Sequence, residues 1–253
     1  QKDGKWGWIN QQGETIIPFI YEKIYWSNFE DGLIVAQKDK KWGWINQKGE
    51  TVIPFIYDET GWNFIDGIAH VKKDEKWGWI NQKGETVIQF IYDESSGFYK
   101  GLAHAKKDGK WGVINQEGET IIPFIYGQIF WSDFKNGLAG AQKFGKWGLI
   151  NQKGETVIPF IYDEIRNTYV ENIVSVQKDG KWGWINQNGE TVIPFIYEDV
   201  AYISFKNGLE GVEKDGEWGG INLKGETIIP FIYENLFRTF DDGLYCAEKN
   251  GKW

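Results

Sequence analysis

Apolar residues run through this chain in short stretches, and nowhere do they fall at the three- and four-residue spacing of a helix face. In Lys41-Trp42-Gly43-Trp44-Ile45-Asn46 the two-residue period of a strand sends Trp42 and Trp44 to one face and Ile45 to the other. From Ile53 to Tyr57 apolar side chains again fall on both faces. A sheet with one wet face would show strict apolar-polar alternation. Apolar groups on both faces predict small sheets buried on both sides, stacked face to face on their neighbours. The fold class is all-β.

Turn residues punctuate the strands. Asp3-Gly4, Asp108-Gly109, Asp179-Gly180 and Asp215-Gly216 carry the two-residue signature of a type I′ hairpin, in which both central residues need a positive φ. Each joins a Gly-Leu-Ala strand to a Lys-Trp-Gly strand. Gln47-Lys48-Gly49 predicts a second hairpin loop, with glycine in the left-handed position, leading into Glu50-Thr51-Val52-Ile53. Pro18, Pro54, Pro123, Pro159, Pro194 and Pro230 then share one column, where Gln89 stands in the copy without proline. Proline cannot donate to a ladder, so the column predicts a strand end or an outer edge. A short strand of the kind Phe160 to Ile165 is expected after it.

These signals repeat. Trp-Gly recurs at Trp6, Trp42, Trp77, Trp111, Trp147, Trp182 and Trp218, with spacings of 34 to 36 residues, and Trp253 ends the chain. The pattern predicts a single repeat domain over 1–253, with seven copies starting near 1, 37, 72, 106, 142, 177 and 213. Sheets of this size bury both faces radially, as propeller blades, or linearly, as a solenoid. A seven-bladed β-propeller is favoured, its last blade closed by the N- and C-terminal hairpins. The alternative is an open β-solenoid of stacked hairpin units, since about 35 residues is short for a four-stranded blade.

The elements Lys-Trp-Gly-x-Ile-Asn, Lys-Gly-Glu-x-Val-Ile-Pro, Tyr-Asp-Glu-Ile and Phe-x-x-Gly-Leu-Ala-x-Val resemble the bacterial WG-repeat (KWG-repeat) family over the whole chain. The resemblance implies a repeat β-scaffold and a non-enzymatic role. Gln89, Gly127 after Tyr126, and Tyr169 to Asn172 depart from the family pattern.

Composition narrows the function classes. Fifteen Trp, 12 Tyr and 16 Phe carry too much aromatic surface for a disordered chain. One cysteine, Cys246, excludes an internal disulfide framework, and no apolar run is long enough for a membrane helix. Twenty-eight basic against 36 acidic residues give a net charge of −8 with no segregated basic patch, so nucleic acid is not an expected partner. The chain begins at Gln1 and not at Met, which leans toward an exported, processed product in an extracellular or cell-envelope location, with a cytoplasmic one standing beside it.

The candidate chemistry is aromatic. The first Trp of every Trp-Gly pair reads as a core residue, beside a glycine that permits close backbone approach. The second aromatic column varies: Trp8, Trp44, Trp79 and Trp184 alternate with Val113, Leu149 and Gly220. A column that tolerates glycine is a candidate exposed platform for stacking on sugar rings or anchoring a partner. Aromatics in the variable segment before Gly-Leu-Ala, above all Trp26, Trp62 and Trp131, are the second candidate set.

The polar candidates are weaker. His70 and His104 share a column and adjacent copies bring them together, but two imidazoles do not make a zinc site, and no metal or cofactor is expected. The pairs Asp58-Glu59, Asp93-Glu94 and Asp163-Glu164 recur in register, as scaffold residues do and as a single acid-base site does not. Glu14, Glu50 and their counterparts follow a turn glycine and belong to the turn. No nucleophile elbow, phosphate loop or zinc motif is present. The expectation is a non-catalytic binding or adhesion scaffold for protein or glycan partners. A purely structural module, a self-associating spacer or assembly unit, is the alternative.

Overall fold

Left-handed turn residues cut the chain into strands where the sequence places them. Asp179 and Gly180 have φ of 51° and 75°, and Gly49 has φ of 80°. The computed structural model describes residues 1–25, 32–61, 64–130, 137–166, 172–201, 208–238 and 245–252.

Six four-stranded antiparallel sheets occupy the interior of the chain, each ordered as its strands occur in sequence. Sheet 1 holds β3 (Lys23–Ile24), β4 (Leu33–Lys38), β5 (Lys41–Asn46) and β6 (Thr51–Tyr57). Sheet 2 holds β7 (Glu59–Thr60), β8 (Ile68–Lys73), β9 (Lys76–Asn81) and β10 (Thr86–Tyr92). Sheet 3 runs from β11 (Glu94–Ser95) through β12 (Leu102–Lys107) and β13 (Lys110–Asn115) to β14 (Thr120–Tyr126). Sheet 4 comprises β15 (Gln128–Ile129), β16 (Leu138–Lys143), β17 (Lys146–Asn151) and β18 (Thr156–Tyr162). Sheet 5 comprises β19 (Glu164–Ile165), β20 (Ile173–Lys178), β21 (Lys181–Asn186) and β22 (Thr191–Tyr197). Sheet 6 ends the series with β23 (Asp199–Val200), β24 (Leu209–Lys214), β25 (Glu217–Asn222) and β26 (Thr227–Tyr233).

The terminal hairpins, β1 (Trp6–Ile9) with β2 (Thr15–Tyr21) and β27 (Asn235–Arg238) with β28 (Tyr245–Glu248), form two separate two-stranded sheets. The shared closing sheet expected from the two termini is not formed among the described residues. The four-stranded meander of a propeller blade is present; each terminal hairpin pairs within itself.

The proline column lies on the outer edge of each sheet, as one of its two readings had it, and does not end the strand. Trp42 pairs with Tyr57 and Trp44 with Ile53, so a two-residue step on β5 faces a four-residue step on β6. The surplus is a bulge that contains Pro54, and the strand continues through it. A bulge removes ladder positions, so the missing proline N–H costs nothing there. The strand stops instead after Tyr57, and Glu59–Thr60 opens the next sheet.

The chain forms two compact units, Gln1–Phe124 and Ile125–Trp253. In the first, Trp42, Trp44, Ile53 and Tyr57 of sheet 1 pack on Ala69, Val71 and Ile80 of sheet 2. Ile45 faces the other way, onto Ile17 and Tyr21 of the N-terminal hairpin. In the second, Trp147, Leu149 and Tyr162 meet Val174, Val176 and Ile185, and Trp182, Trp184 and Tyr197 meet Val212 and Ile221. Face-to-face stacking is therefore as the side-chain period implies, with one exception. The outermost strand of each sheet is not buried on both faces: Ile53 and Tyr57 are inside, while Val52 and Ile56 are each 39% exposed.

Candidate functional site

The glycine of each Trp-Gly pair is a packing requirement. A Cβ on Gly43 would stand 2.7 Å from the Ile53 carbonyl oxygen, and one on Gly183 would stand 2.9 Å from that of Ile193. The bulged outer strand lies directly over this glycine, and the ring of Phe55 or Phe195 presses on the same spot.

The first Trp carries a lid that changes from sheet to sheet. Tyr25 stacks on Trp42 at 4.8 Å and Phe130 on Trp147 at 4.5 Å, while the Arg166 guanidinium lies 4.9 Å from the Trp182 ring. All three lids sit just after the short edge strand. In sheets 2 and 3 that place is taken by Gly61 and Ser96, and the lid comes from the neighbouring strand as His70 on Trp77 and His104 on Trp111.

The second aromatic column does not form the expected exposed platform. Trp44, Trp79 and Trp184 are at most 2% exposed, and each sets its edge against the following tyrosine, Tyr57, Tyr92 or Tyr197. Burying ~200 Å² of indole at ~25 cal/mol/Å² is worth on the order of 5 kcal/mol, which holds these rings between sheets. Trp8 is half-buried, against Tyr21. Gly220 is tolerated in this column because the outer strand closes in: a Cβ there would lie 3.1 Å from Ile229 Cβ. Trp26, Trp62 and Trp131 lie outside the described residues.

The acidic pairs have separate structural partners. Asp58 pairs with Lys41 of sheet 1 while its other oxygen accepts from the Asp74 N–H in the hairpin turn of sheet 2. Asp93 joins Lys76 to Gly109 in the same way, and Glu198 joins Lys181 to Asp215. The lysine and the turn N–H hold the Asp58 carboxyl below the usual carboxylate range. The second acids pair sideways, Glu59 with Lys72 and Glu94 with Lys106, each at 2.7 Å. Glu50 completes its turn by accepting from Asn46 Nδ2 at 2.6 Å, while Asn46 Oδ1 accepts the N–H groups of Lys48 and Glu50. His70 binds Ser95 Oγ through Nε2 at 2.5 Å, and no group of three potential metal ligands occurs among the described residues.

Two exposed apolar features among the described residues stand apart from these networks. The first is the outer strand itself, where Val52, Pro54 and Ile56 all face solvent, and the pairs Val87/Ile91, Val157/Ile161 and Val192/Ile196 repeat it at 40% to 45% exposure. The second is Phe144, 94% exposed at a hairpin tip with φ of 53°. Neither was read from the sequence as a site, although Phe144 stands in a column otherwise held by Asp3, Asp39, Asp74, Asp108, Asp179, Asp215 and Asn250.

Seven consecutive segments, 6–42, 42–77, 77–111, 111–147, 147–182, 182–218 and 218–253, match the family model described as WG containing repeat. The chain belongs to the WG-repeat family. Among solved structures the WG-repeat chain is similar to Saccharomyces cerevisiae Sqt1, at 12% identity over 95% of this chain and 83% of that one, with a TM-score of 0.37. Kluyveromyces lactis Hsv2 gives 9% identity over 76% and 70%, with a TM-score of 0.38. A eukaryotic initiation factor gives 10% over 88% and 69%, with a TM-score of 0.41. No curated protein matches the chain.

Proposed function

We propose that this WG-repeat chain is a non-catalytic scaffold that binds a protein partner through the apolar stripes of its outer strands. The observation behind this reading is the recurrence of an exposed aliphatic-x-Pro-x-Ile stripe on successive sheets, as in Val52-Pro54-Ile56 and Val157-Pro159-Ile161. One such stripe is a small contact, and tandem copies add avidity to a partner that spans several. The proline and its bulge blunt the sheet edge against strand addition, so the partner reads side chains and not a free ladder. The titratable groups near the stripes are engaged in ion pairs and turns, an arrangement that suits a scaffold better than acid-base chemistry.

The test is a peptide-display selection on the wild-type chain, with Ile56→Lys/Ile91→Lys/Ile161→Lys/Ile196→Lys as the comparison. Selected peptides should lose at least about tenfold in affinity for the variant, which should keep its unfolding midpoint because these side chains are exposed. Equal binding to both proteins would remove the stripe as the site. Mass measurements over a concentration series address the self-assembly alternative, which requires a rise for the wild type and none for the variant.

A further inference from the structure

The hairpin tip of sheet 4 breaks two local rules at one residue: Phe144 has φ of 53° and is 94% exposed. Every other copy holds Asp or Asn in this column, at a φ of 49° to 55°. Their short polar side chains tolerate the left-handed region, which a phenyl group does not help to form. The Phe144 ring serves neither the turn nor the core, the kind of outlier that points to a surface with a task. Its surroundings have also lost their acids. Gly127 and Gln128 stand where other copies carry Asp58-Glu59, Asp93-Glu94 and Asp163-Glu164. Lys146 is paired with Asp163, whereas Lys143, 5.4 Å from the Phe144 ring, enters none of the ion pairs among the described residues. The tip therefore presents a phenyl ring and an ammonium side by side.

Sheet 6 departs from its column in the opposite sense. Glu217 replaces the lysine that reaches the acid 17 residues on in five other copies. A cleft of about 450 Å³ opens there, between Glu217, Ile232, Tyr233, Glu234 and Lys249. Glu234 Oε2 accepts the Gly251 N–H at 3.1 Å, as Asp58 Oδ2 accepts that of Asp74 in sheet 1. Its other oxygen corresponds to the one that takes Lys41 in sheet 1. Lys249 does not fill the place: it lies 6.0 Å from the centre of the Tyr233 ring and enters no ion pair among the described residues. Ile232 is 40% exposed in the wall, and Tyr233 is half-buried where Tyr57, Tyr162 and Tyr197 are buried.

We propose that the sheet 4 tip of one copy docks in the sheet 6 cleft of a second copy, with the Lys143 ammonium between Glu217 and Glu234 and the Phe144 ring on Ile232 and Tyr233. The tip has given up its acids and the cleft its lysine, so each offers what the other lacks. A lysine ammonium is also what occupies the corresponding place in sheets 1, 2, 4 and 5. Tip and cleft belong to the same compact unit, Ile125–Trp253, in which Phe144 stays exposed, so the docked tip comes from another chain. The contact joins two different surfaces, and an open pair keeps one free tip and one free cleft for further copies. Of the outer-strand residues only Ile232 takes part, so this inference does not rest on the stripe reading.

The experiment is sedimentation of the full chain between about 10 μM and about 1 mM, the affinity range of one small contact. The wild-type mass should rise with concentration. Phe144→Asp and Glu217→Lys each restore the residue that the column holds elsewhere, so both variants keep the fold, and each should weaken association at least about tenfold. Mixed together they should form a one-to-one pair that grows no further, because the first supplies only a cleft and the second only a tip. The fourfold isoleucine-to-lysine variant, which keeps Ile232, should associate as the wild type does. A wild type that stays monomeric, as it would if the tip seats in a different protein, overturns the proposal. So do single variants that associate undiminished, a mixture that stays monomeric, or loss of association in the stripe variant.

Discussion

Phe130 lies over the Trp147 indole because Gly140 beside it has no side chain: a Cβ on Gly140 would stand 2.9 Å from Phe130 Cδ2. The same two strand positions hold Ser96 and His104 in sheet 3, where the Ser96 N–H donates to the His104 carbonyl and His104 covers Trp111. One bulky group fits per pair of positions, and either strand can supply it. Gly140→His alone should therefore overpack sheet 4 and cost ~1–3 kcal/mol. Phe130→Ser alone should leave Trp147 uncovered. The double variant, which copies sheet 3, should recover most of the loss, and urea unfolding of the four proteins measures the coupling. Additive losses would show that the two sites do not share one space.

A second prediction concerns the Trp-Gly glycine. Gly183 has no unusual φ, so the residue is required by the Ile193 carbonyl above it and not by backbone conformation. Gly183→Ala forces β22 away from β21 and strains the bulge. A loss of about 2–3 kcal/mol in unfolding free energy is expected. Gly180→Ala gives a useful contrast, because its Cβ would meet nothing and its cost comes from a φ of 75° alone. Crystal structures of the two variants should show displaced strands in the first and an unmoved sheet in the second.

The ion-pair column predicts a gain. Lys5, Lys41, Lys76, Lys146 and Lys181 each pair with the acid 17 residues on, and the column continues to Glu217 and Glu234, where both members are acidic. Glu234 already accepts the Gly251 N–H at 3.1 Å, so only the cation is missing. Glu217→Lys should raise stability by ~0.2–1 kcal/mol, the usual worth of an exposed pair. The gain should shrink in 1 M salt, where the screening length falls to about 3 Å. A gain unaffected by salt would point to something other than this pair.

Much of this fold is local enough to be read from the chain. Asp-Gly and Gln-Lys-Gly turns bring glycine to a positive φ wherever they occur among the described residues, and the two-residue period sends Trp42 and Ile45 to opposite faces without reference to any neighbour. The proline column was harder, because whether Pro54 ends a strand or sits in a bulge depends on how many residues the partner strand sets against it. Trp44, Trp79 and Trp184 were misjudged for a related reason: variability of the column suggested exposure, whereas at Gly220 the side chain of Ile229 stands 3.1 Å from where a Cβ would be and leaves no open space. The lid pairs left a trace in the sequence, a large residue at one position and a small one at the other. Spacings of 8 to 10 residues between the two, as from Ser96 to His104 and from Tyr25 to Val35, hide it from a fixed-period reading.

The last prediction is a pH dependence that starts well above the carboxylate range. Burial first, and the nearby His104 second, push the His70 imidazole down to about 4, and burial lowers His104 as well. Ser95 Oγ, the Trp77 and Trp79 rings and His104 surround His70; the indole faces attract a cation weakly, and the lost hydration and the second imidazole outweigh them. The unfolded chain takes up a proton near pH 6.5, whereas the folded chain holds this ring neutral down to about 4. The unfolded state thus binds more protons across that interval, and stability is complete above pH 6.5 and declines as pH falls through it. A separation of about 2.5 units at ~1.36 kcal/mol each places the full loss on the order of 3 kcal/mol. Asp58, Asp93 and Asp163 act lower, since their lysine partners depress them and their contribution fades only as pH falls through those lowered values. Urea midpoints at pH 7.5 and pH 5 should therefore differ for the wild type and converge for His70→Phe/His104→Phe, which keeps a ring over Trp77 and Trp111. A wild-type midpoint that is flat over this interval would show that the histidines take up protons in the folded chain as readily as in the unfolded one.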